Sequence, residues 1–390
     1  MPGTPATDAP PPGDVRAGTL ELRGVTKRYG PTLAVDDLSL TVPAGKVCVL
    51  IGPSGCGKTT ALRMINRLIE PTAGEILIDG TDVRRRPAAR LRREIGYVIQ
   101  QVGLLPHLTV AQNVATVPRL LGWAKARVGP RVDELLALVG LPPGDYARRY
   151  PAELSGGQQQ RVGLARALAG DPPLMLMDEP FSAVDPITRE RLQTDFLRLH
   201  RAVPKTVVFV SHDIDEAVKM ADVIAVMRAG RLVQFAPPAE LLADPADEFV
   251  ADFVGADRAL KGLALTRLED LDLPPAPTVR RGEAGGDVRD RVASGTLVPI
   301  GGAVLATGDD GHPLRWVPVA AIGDRVEATP GRTEPLLSPV TTLRDALSAL
   351  FEAGASHGVV VDGAGRAVAV ADVATIGGGL AAPAEKAGDA

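Results

Sequence analysis

Gly52-Pro53-Ser54-Gly55-Cys56-Gly57-Lys58-Thr59 decides how this chain folds. The stretch has the spacing G-x-x-x-x-G-K-[ST] of a loop that wraps phosphate. Its glycines let the backbone turn with N–H groups pointing inward, which makes an anion nest. The helix that follows, from Thr59 onward, adds its positive N-terminal end. Lys58 supplies a point charge for β- and γ-phosphates, and the Thr59 hydroxyl can ligate Mg²⁺. A flexible glycine loop is the bland alternative, and the flanks argue against it. Residues 46–51 form a short apolar run, and residues 59–70 place Leu62, Ile65, Leu68 and Ile69 on one helical stripe. A buried strand, a tight loop and an amphipathic helix are therefore predicted.

Outward from the loop the same grammar recurs. Residues 174–177, 206–210 and 223–227 are short continuous apolar runs, suited to strands buried on both faces of a parallel sheet. Residues 131–141 and 188–200 carry helical spacing between them, whereas residues 20–40 alternate apolar and polar as an antiparallel edge does.

Three further motifs follow in order. Leu154-Ser155-Gly156-Gly157-Gln158 opens a helix running through Val162, Leu164, Ala165 and Leu168. Ser155 is a natural N-cap, with Gln158 completing a capping box, and the paired glycines allow close approach. Either this is simply a well-capped helix or it is a second anion site, and one phosphate loop already suffices for one nucleotide. Leu174-Met175-Leu176-Met177-Asp178-Glu179 delivers two carboxylates at a strand's C-terminal end, where ligands sit in open α/β sheets. Asp178 suits Mg²⁺ or its water, and Glu179 suits activation of an attacking water. Val207-Val208-Phe209-Val210-Ser211-His212 ends another strand in one histidine. Alone, such a histidine is more often structural; beside the other motifs it reads as a γ-phosphate contact.

Bulk composition is compatible with this. The chain has 390 residues, 45% hydrophobic and 23% charged, as in ordinary globular proteins of two or three domains. A net charge of -4 argues against a nucleic-acid coat. Aromatics are only 3%, so the cores rest on Val, Leu, Ile and Ala. Cys48 and Cys56 sit in an apolar run and in the glycine loop, a placement that fits a reducing cytosol rather than a disulfide framework. No run approaches the roughly 18 to 20 apolar residues that span a bilayer, so a membrane role must come through a partner. The first 18 residues hold five prolines and no apolar core, which is not a signal peptide.

These motifs, in this order, resemble the ATP-binding-cassette (ABC) family. The likeness covers residues 18–257 and implies an α/β P-loop NTPase cassette: a RecA-like core, an antiparallel β subdomain and a helical subdomain near residues 101–160. It implies ATP and Mg²⁺ as ligands, and two copies packed head to tail. Each phosphate loop (Gly52, Pro53, Ser54, Gly55, Cys56, Gly57, Lys58, Thr59, Thr60) would then be closed by Ser155, Gly156, Gly157 and Gln158 of the other copy. Tyr29, in Lys27-Arg28-Tyr29-Gly30, resembles the aromatic that stacks on adenine; a core tyrosine is the alternative. Gln100, in Tyr97-Val98-Ile99-Gln100, resembles the glutamine that contacts Mg²⁺ and the water, with Gln101 adjacent as the other candidate. Asp185, in Ser182-Ala183-Val184-Asp185, resembles the D-loop aspartate. The catalytic set is thus Glu179, His212 and Gln100, and the metal set Thr59, Gln100 and Asp178.

Residues 100–107 and 255–258 resemble importer ATPases for glycine betaine, choline, carnitine or proline. That implies integral membrane permease subunits, an extracellular binding protein acting indirectly, and a place on the cytoplasmic face of the membrane. The same enzyme serving another solute (amino acid, polyamine, sulfate) is one alternative. A soluble ABC protein acting on DNA or the ribosome is another, disfavoured by a single compact cassette and net acidity. Beyond it, residues 258–277 read as a linker, since LDLPPAP at 271–277 excludes regular structure. Residues 278–378 hold a weak repeat in which Gly311 aligns with Gly365 and Ile322 with Ile376. Helix starts at Val288 and Leu343 precede the two copies. The repeat is similar to a degenerate pair of cystathionine-β-synthase-type (CBS) domains, a small α+β unit that either regulates or only stabilises a dimer. Residues 1–17 and 379–390 read as disordered tails.

Overall fold

The computed structural model describes residues 17–99, 103–182, 184–329, 331, 333 and 335–378. The tails expected at 1–17 and 379–390 lie, Ala17 apart, outside those residues. The chain divides into two compact units between Val254 and Gly255.

The first unit begins with β1 (Leu20–Tyr29) and β2 (Thr32–Val42), which pair antiparallel as their alternation predicts. With β4 (Ala73–Ile78) and β5 (Thr81–Asp82) they make a sheet of order β2-β1-β4-β5. The larger sheet has order β10-β9-β3-β8-β7-β6. Its members are β3 (Val47–Ile51), β6 (Ile95–Val98), β7 (Leu174–Asp178), β8 (Thr206–Val210), β9 (Val223–Arg228) and β10 (Arg231–Ala236). All of its pairings are parallel except β9 with the edge strand β10. β3 and β8 are buried at every position, as two-sided burial requires. The apolar runs read from the sequence therefore became the central strands.

The helices are α1 (Lys58–Ile65), α2 (Ala88–Glu94), α3 (Val110–Val114), α4 (Thr116–Leu120), α5 (Lys125–Leu138), α6 (Pro143–Tyr146), α7 (Gly156–Leu168), α8 (Pro186–Ala202), α9 (Ile214–Met220), α10 (Pro238–Ala243) and α11 (Glu248–Val254). α3 to α6 form the helical region. α1 is shorter than its stripe suggests. Arg67 turns into the left-handed region at φ 49° and leaves Leu68 47% exposed. The cause is tertiary: the Arg67 guanidinium donates to the carbonyls of Val83 (3.1 Å) and Arg86 (2.6 Å), which a continuing helix would pull away.

The second unit contains one small motif twice. α12 (Arg258–Gly262) precedes it. In the first copy β11 (Thr278–Arg280) runs parallel to β12 (Ala303–Thr307), which turns back antiparallel into β13 (Pro313–Pro318), with α13 (Gly285–Ala293) between β11 and β12. In the second, β14 (Leu336–Leu337) and β15 (His357–Val361) are parallel, and β15 and β16 (Ala367–Asp372) antiparallel. There α14 (Leu343–Ala353) follows β14, and α15 (Val373–Gly378) closes the copy. Gly311 and Gly365 occupy equivalent hairpin turns with φ of 82° and 78°. The two turns face each other: a Cβ on Gly311 would lie 3.3 Å from Arg366, and one on Gly365 would lie 2.6 Å from His312.

The expected linker at 258–277 needs correction. Its prolines do keep 271–277 free of helix and strand, apart from a single bridge of Pro275 to Ala369. Yet Leu263 and Leu268 are buried in the core of the second copy, against Leu337, Leu343 and Leu350. The Leu268 amide donates to Thr341 at 3.0 Å, and the Leu343 amide to Thr266 at 2.9 Å. The segment is part of the fold because its leucines complete a core too small to close alone. Leu268→Ala is therefore expected to destabilise the second unit by about 2–5 kcal/mol. Thermal melts of the full chain would show this as a lowered transition; an unchanged melt would return 258–277 to a passive connector.

Candidate active site

The phosphate loop leaves β3 and enters α1, and two of its glycines are fixed by close backbone approach. A Cβ on Gly52 (φ 142°) would stand 2.1 Å from the Met227 carbonyl oxygen, and one on Gly57 (φ 104°) 2.4 Å from that of Ala34. Both collisions exclude any side chain. Pro53, Ser54 and Gly55 are exposed at the loop's crown, Cys56 is buried beneath it, and Thr59 and Thr60 are half-buried. Lys58 is buried, its ammonium donating to the carbonyls of Gly52 (2.6 Å) and Pro53 (3.0 Å). A desolvated cation is thereby held at the loop's centre by carbonyls that an anion can replace.

Register brings the other strands' ends to the same line. Leu50 pairs with Val210, and Val210 with Asp178. The Thr59 hydroxyl donates to Asp178 Oδ1 at 3.1 Å. Burial pushes the Asp178 carboxyl above the usual carboxylate range, against the Thr59 hydrogen bond and the nearby Arg63 and Lys58 cations. A cation at this pair would relieve that desolvation. Hydroxyl and carboxylate oxygens suit a hard ion that keeps its other positions for water and phosphate. Among the described residues, no group of three or more His, Cys, Asp or Glu stands together to hold a metal alone.

Glu179 follows Asp178 with a left-handed backbone, φ 47°, its amide donating to the Val210 carbonyl at 3.2 Å. This turn sends adjacent carboxylates in different directions. Its Oε2 lies 3.6 Å from Nδ1 of His212, whose side chain is 63% exposed. Water, carboxylate and imidazole can meet here, which is what in-line hydrolysis of a phosphoanhydride needs.

Ser155 caps α7 with both halves of the expected box: its hydroxyl accepts from the Gln158 amide at 3.3 Å, and Gln158 Oε1 accepts from the Ser155 amide at 2.9 Å. The two glycines differ in kind. A Cβ on Gly157 would meet Thr188 Cγ2 at 2.8 Å, whereas one on Gly156 meets nothing within 4 Å. Ser155 and Gly156 are exposed. Tyr29 ends β1 with its ring 48% exposed, not buried in a core, and the Lys27 ammonium lies 4.9 Å from its centroid. Asp185 caps α8, accepting from the Thr188 amide at 3.0 Å, a bond that holds its carboxyl below the usual range. Gln100 and Gln101 lie outside the described residues.

A family model described as ABC transporter matches residues 35–182, from β2 to just past Glu179. The osmoprotectant import ATP-binding protein OsmV of Salmonella typhimurium is 48% identical over 360 residues, 90% of this chain and 92% of that protein. The chain belongs to the ABC transporter ATP-binding family. The choline transport ATP-binding protein OpuBA of Bacillus subtilis is 53% identical over 243 residues, 62% of this chain and 64% of that protein. Among solved structures, the dimeric post-hydrolysis state of the ATP-binding cassette MJ0796 bound to ADP and Pi is 34% identical, with TM-score 0.50, covering 56% of this chain and 98% of that one. The cassette thus binds and hydrolyses ATP, and its fold is that of an ABC cassette with a small additional α+β unit.

The cassette's geometry also relies on side chains that the motifs did not single out. Gln160 is buried in α7 and its amide donates to the Pro180 carbonyl, tying the Ser155 helix to the residue after Glu179. Asn113, wholly buried, accepts from the Leu105 amide (2.8 Å) and donates to the Leu105 and Leu108 carbonyls, pinning the segment that follows Gln100 and Gln101. Gln193, Ser211 and Glu216 form a buried polar cluster under His212. Gln160 lies inside the helix that the signature opens and Ser211 inside the stretch that ends in His212; Asn113, Gln193 and Glu216 showed no pattern beyond ordinary helix polarity.

Gly156 offers a clean test. A Cβ at Gly156 meets nothing within 4 Å, so in Gly156→Val the Tm should stay within a few degrees and ATP binding by the isolated chain should persist. Steady-state hydrolysis should fall by about 100-fold if a second molecule approaches this point closely. Native hydrolysis by Gly156→Val would mean that nothing docks there.

Proposed function

We propose that this chain is the ATPase subunit of an ABC importer for an osmoprotectant of the quaternary-amine class, such as glycine betaine, choline, carnitine or proline. The observation that carries this is the 48% identity to the Salmonella osmoprotectant importer subunit, which runs through both units and not the cassette alone. Among the described residues no helix is long and apolar enough to cross a membrane. In this reading transport runs through separate permease subunits, with the chain attached at the cytoplasmic face and an external binding protein acting indirectly.

In this reading two copies pack head to tail. Lys58 and the amides of 52–59 grip the triphosphate, Tyr29 stacks on adenine, and Ser155, Gly156, Gly157 and Gln158 of the second copy complete the site. Asp185 at the head of α8 faces the same junction. Thr59 and Asp178, with Gln100, would hold Mg²⁺, which neutralises charge on the β- and γ-oxygens when bound. Glu179 orients a water and takes its proton as the oxygen bonds to γ-phosphorus and the bond to the β-bridging oxygen breaks, giving ADP and phosphate. His212 steadies the γ-phosphate. The exposure of Tyr29, Ser155, Gly156 and His212 supports this reading. Residues 278–378, with Leu263 and Leu268 of the preceding segment packed into the second copy, are proposed as a CBS-like regulatory pair, supported by the twofold recurrence of one β-α-β-β motif.

Glu179→Gln should bind ATP normally, lose hydrolysis by about 10²–10⁴-fold, and accumulate as an ATP-stabilised dimer on size-exclusion with light scattering. A monomer in saturating ATP would overturn the paired arrangement. For the cargo, proteoliposomes of the copurified transporter should accumulate labelled glycine betaine or choline on ATP addition and ignore spermidine and sulfate. The reverse preference would reassign the solute and leave the ATPase standing.

A further inference from the structure

We infer that Glu216 is a positioning residue that sets the loop carrying His212 and joins it to the segment leaving Glu179. The inference rests on the reading of Glu179 and His212 given above and goes beyond it. Glu216 lies in the first turn of α9 and is only 8% exposed. Its Oε2 accepts from the Ser211 hydroxyl, and its Oε1 accepts from Gln193 Nε2 of α8 at 3.0 Å. Ser211, beside His212, in turn accepts from the Asp213 amide at 3.0 Å. One carboxylate thus braces both flanks of the histidine, directly at Ser211 and through that hydroxyl at Asp213.

The other arm runs to the nucleotide-facing segment after Glu179. Four residues before Gln193, on the same face of α8, Arg189 donates to the carbonyls of Phe181 (3.2 Å) and Val184 (3.4 Å). Its guanidinium also lies 4.0 Å from the Asp213 carboxylate. α8 therefore carries two links to this loop: Arg189 joins the 181–185 segment to Asp213 directly, and Gln193 reaches Ser211 through Glu216. The charged groups facing Glu216 are Asp213, which opposes its ionisation, and Arg189, which favours it.

Stability alone does not call for this acid. Both of its hydrogen-bond partners are neutral, and burial pushes its carboxyl above the usual range. A buried carboxylate so placed is costly, and an apolar or amide side chain of the same size would serve packing as well. What the carboxylate supplies is two acceptor oxygens at a fixed separation, one for the histidine loop and one for α8.

The test uses the full chain, measuring kcat and KM for ATP together with Tm. Glu216→Gln keeps the volume but sets an amide against the Gln193 amide. It should lower kcat by about 10- to 100-fold, the scale of a sub-ångström to 1 Å misplacement, with KM within about twofold and Tm not reduced. Exchanging the pair, Gln193→Glu with Glu216→Gln, restores one carboxylate and one amide and should return kcat to within about threefold of native. Ser211→Ala, the smallest cut in the chain of bonds, should also lower kcat, and combined with Glu216→Gln should be no worse than the latter alone. Native kcat in both single variants while His212→Ala is inactive would overturn the inference alone. Native kcat in His212→Ala would instead remove the site reading on which it rests. A loss of kcat that tracks a fall in Tm, without recovery in the exchanged pair, would reduce Glu216 to a packing residue.

Discussion

β8 is the structural ruler of this cassette. It pairs with β3 on one side and β7 on the other, so that Leu50, Val210 and Asp178 fall on one line across the sheet. The backbone carries that line one residue further: the Glu179 amide donates to Val210 and the Ser211 amide to Leu50. Phosphate loop, carboxylate pair and histidine loop all start from this line. A slip of one residue in either pairing would turn every side chain of the slipped strand to the other face. Register is anchored where β8 begins, where the wholly buried Thr206 hydroxyl donates to the Gly18 carbonyl (2.6 Å) and accepts from the Gly45 amide (2.9 Å).

That constraint explains what could be read in advance. Motifs lying at strand ends were legible because local chemistry states their role: glycines where φ is positive, a cap where a helix begins, acids where a strand ends. The β1–β2 pair and the buried central strands followed from alternation and from its absence. What escaped was decided at a distance. α1 stops early because Arg67 reaches the 83–86 turn, and the residues before β11 join a core through Leu263 and Leu268. Gln160, Gln193 and Glu216 looked like ordinary polar positions on helices, and only tertiary packing buries them.

The polar interior is also unevenly placed. Apolar contacts fill the space between sheet and helices, but buried polar side chains gather behind the reacting edge: Gln160 behind Pro180, Asn113 behind residues 105–108, and Gln193 with Glu216 behind Ser211. Gln160 and the Gln193–Glu216 pair join segments that are separate in sequence, Asn113 pins the turn just before its own helix, and each hydrogen-bonds a loop beside the site. Directional bonds fix a loop's orientation, which non-directional apolar contact cannot do. These three groups thus act on loop orientation, whereas Lys205 and Thr206, buried at the opposite end of β8, tie the strand's start to Asp171 and Gly18.

The remaining features separate into those the single chain explains and those it does not. Gly52 and Gly57 are required by neighbouring carbonyls, and Gly157 by Thr188. The left-handed φ of Glu179, which costs a non-glycine residue on the order of 1–3 kcal/mol, is held by its amide bond to Val210 and by the Ser182 hydroxyl on its carbonyl. Gly156 has no such neighbour, the Tyr29 ring is half in solvent, and the His212 imidazole is mostly exposed. Strain and rigidity therefore surround the carboxylate pair, while openness marks the residues that the proposed function assigns to nucleotide and second copy. A site divided in this way is what the proposed head-to-tail pairing requires: rigid where one chain must hold the carboxylates, open where another molecule would dock.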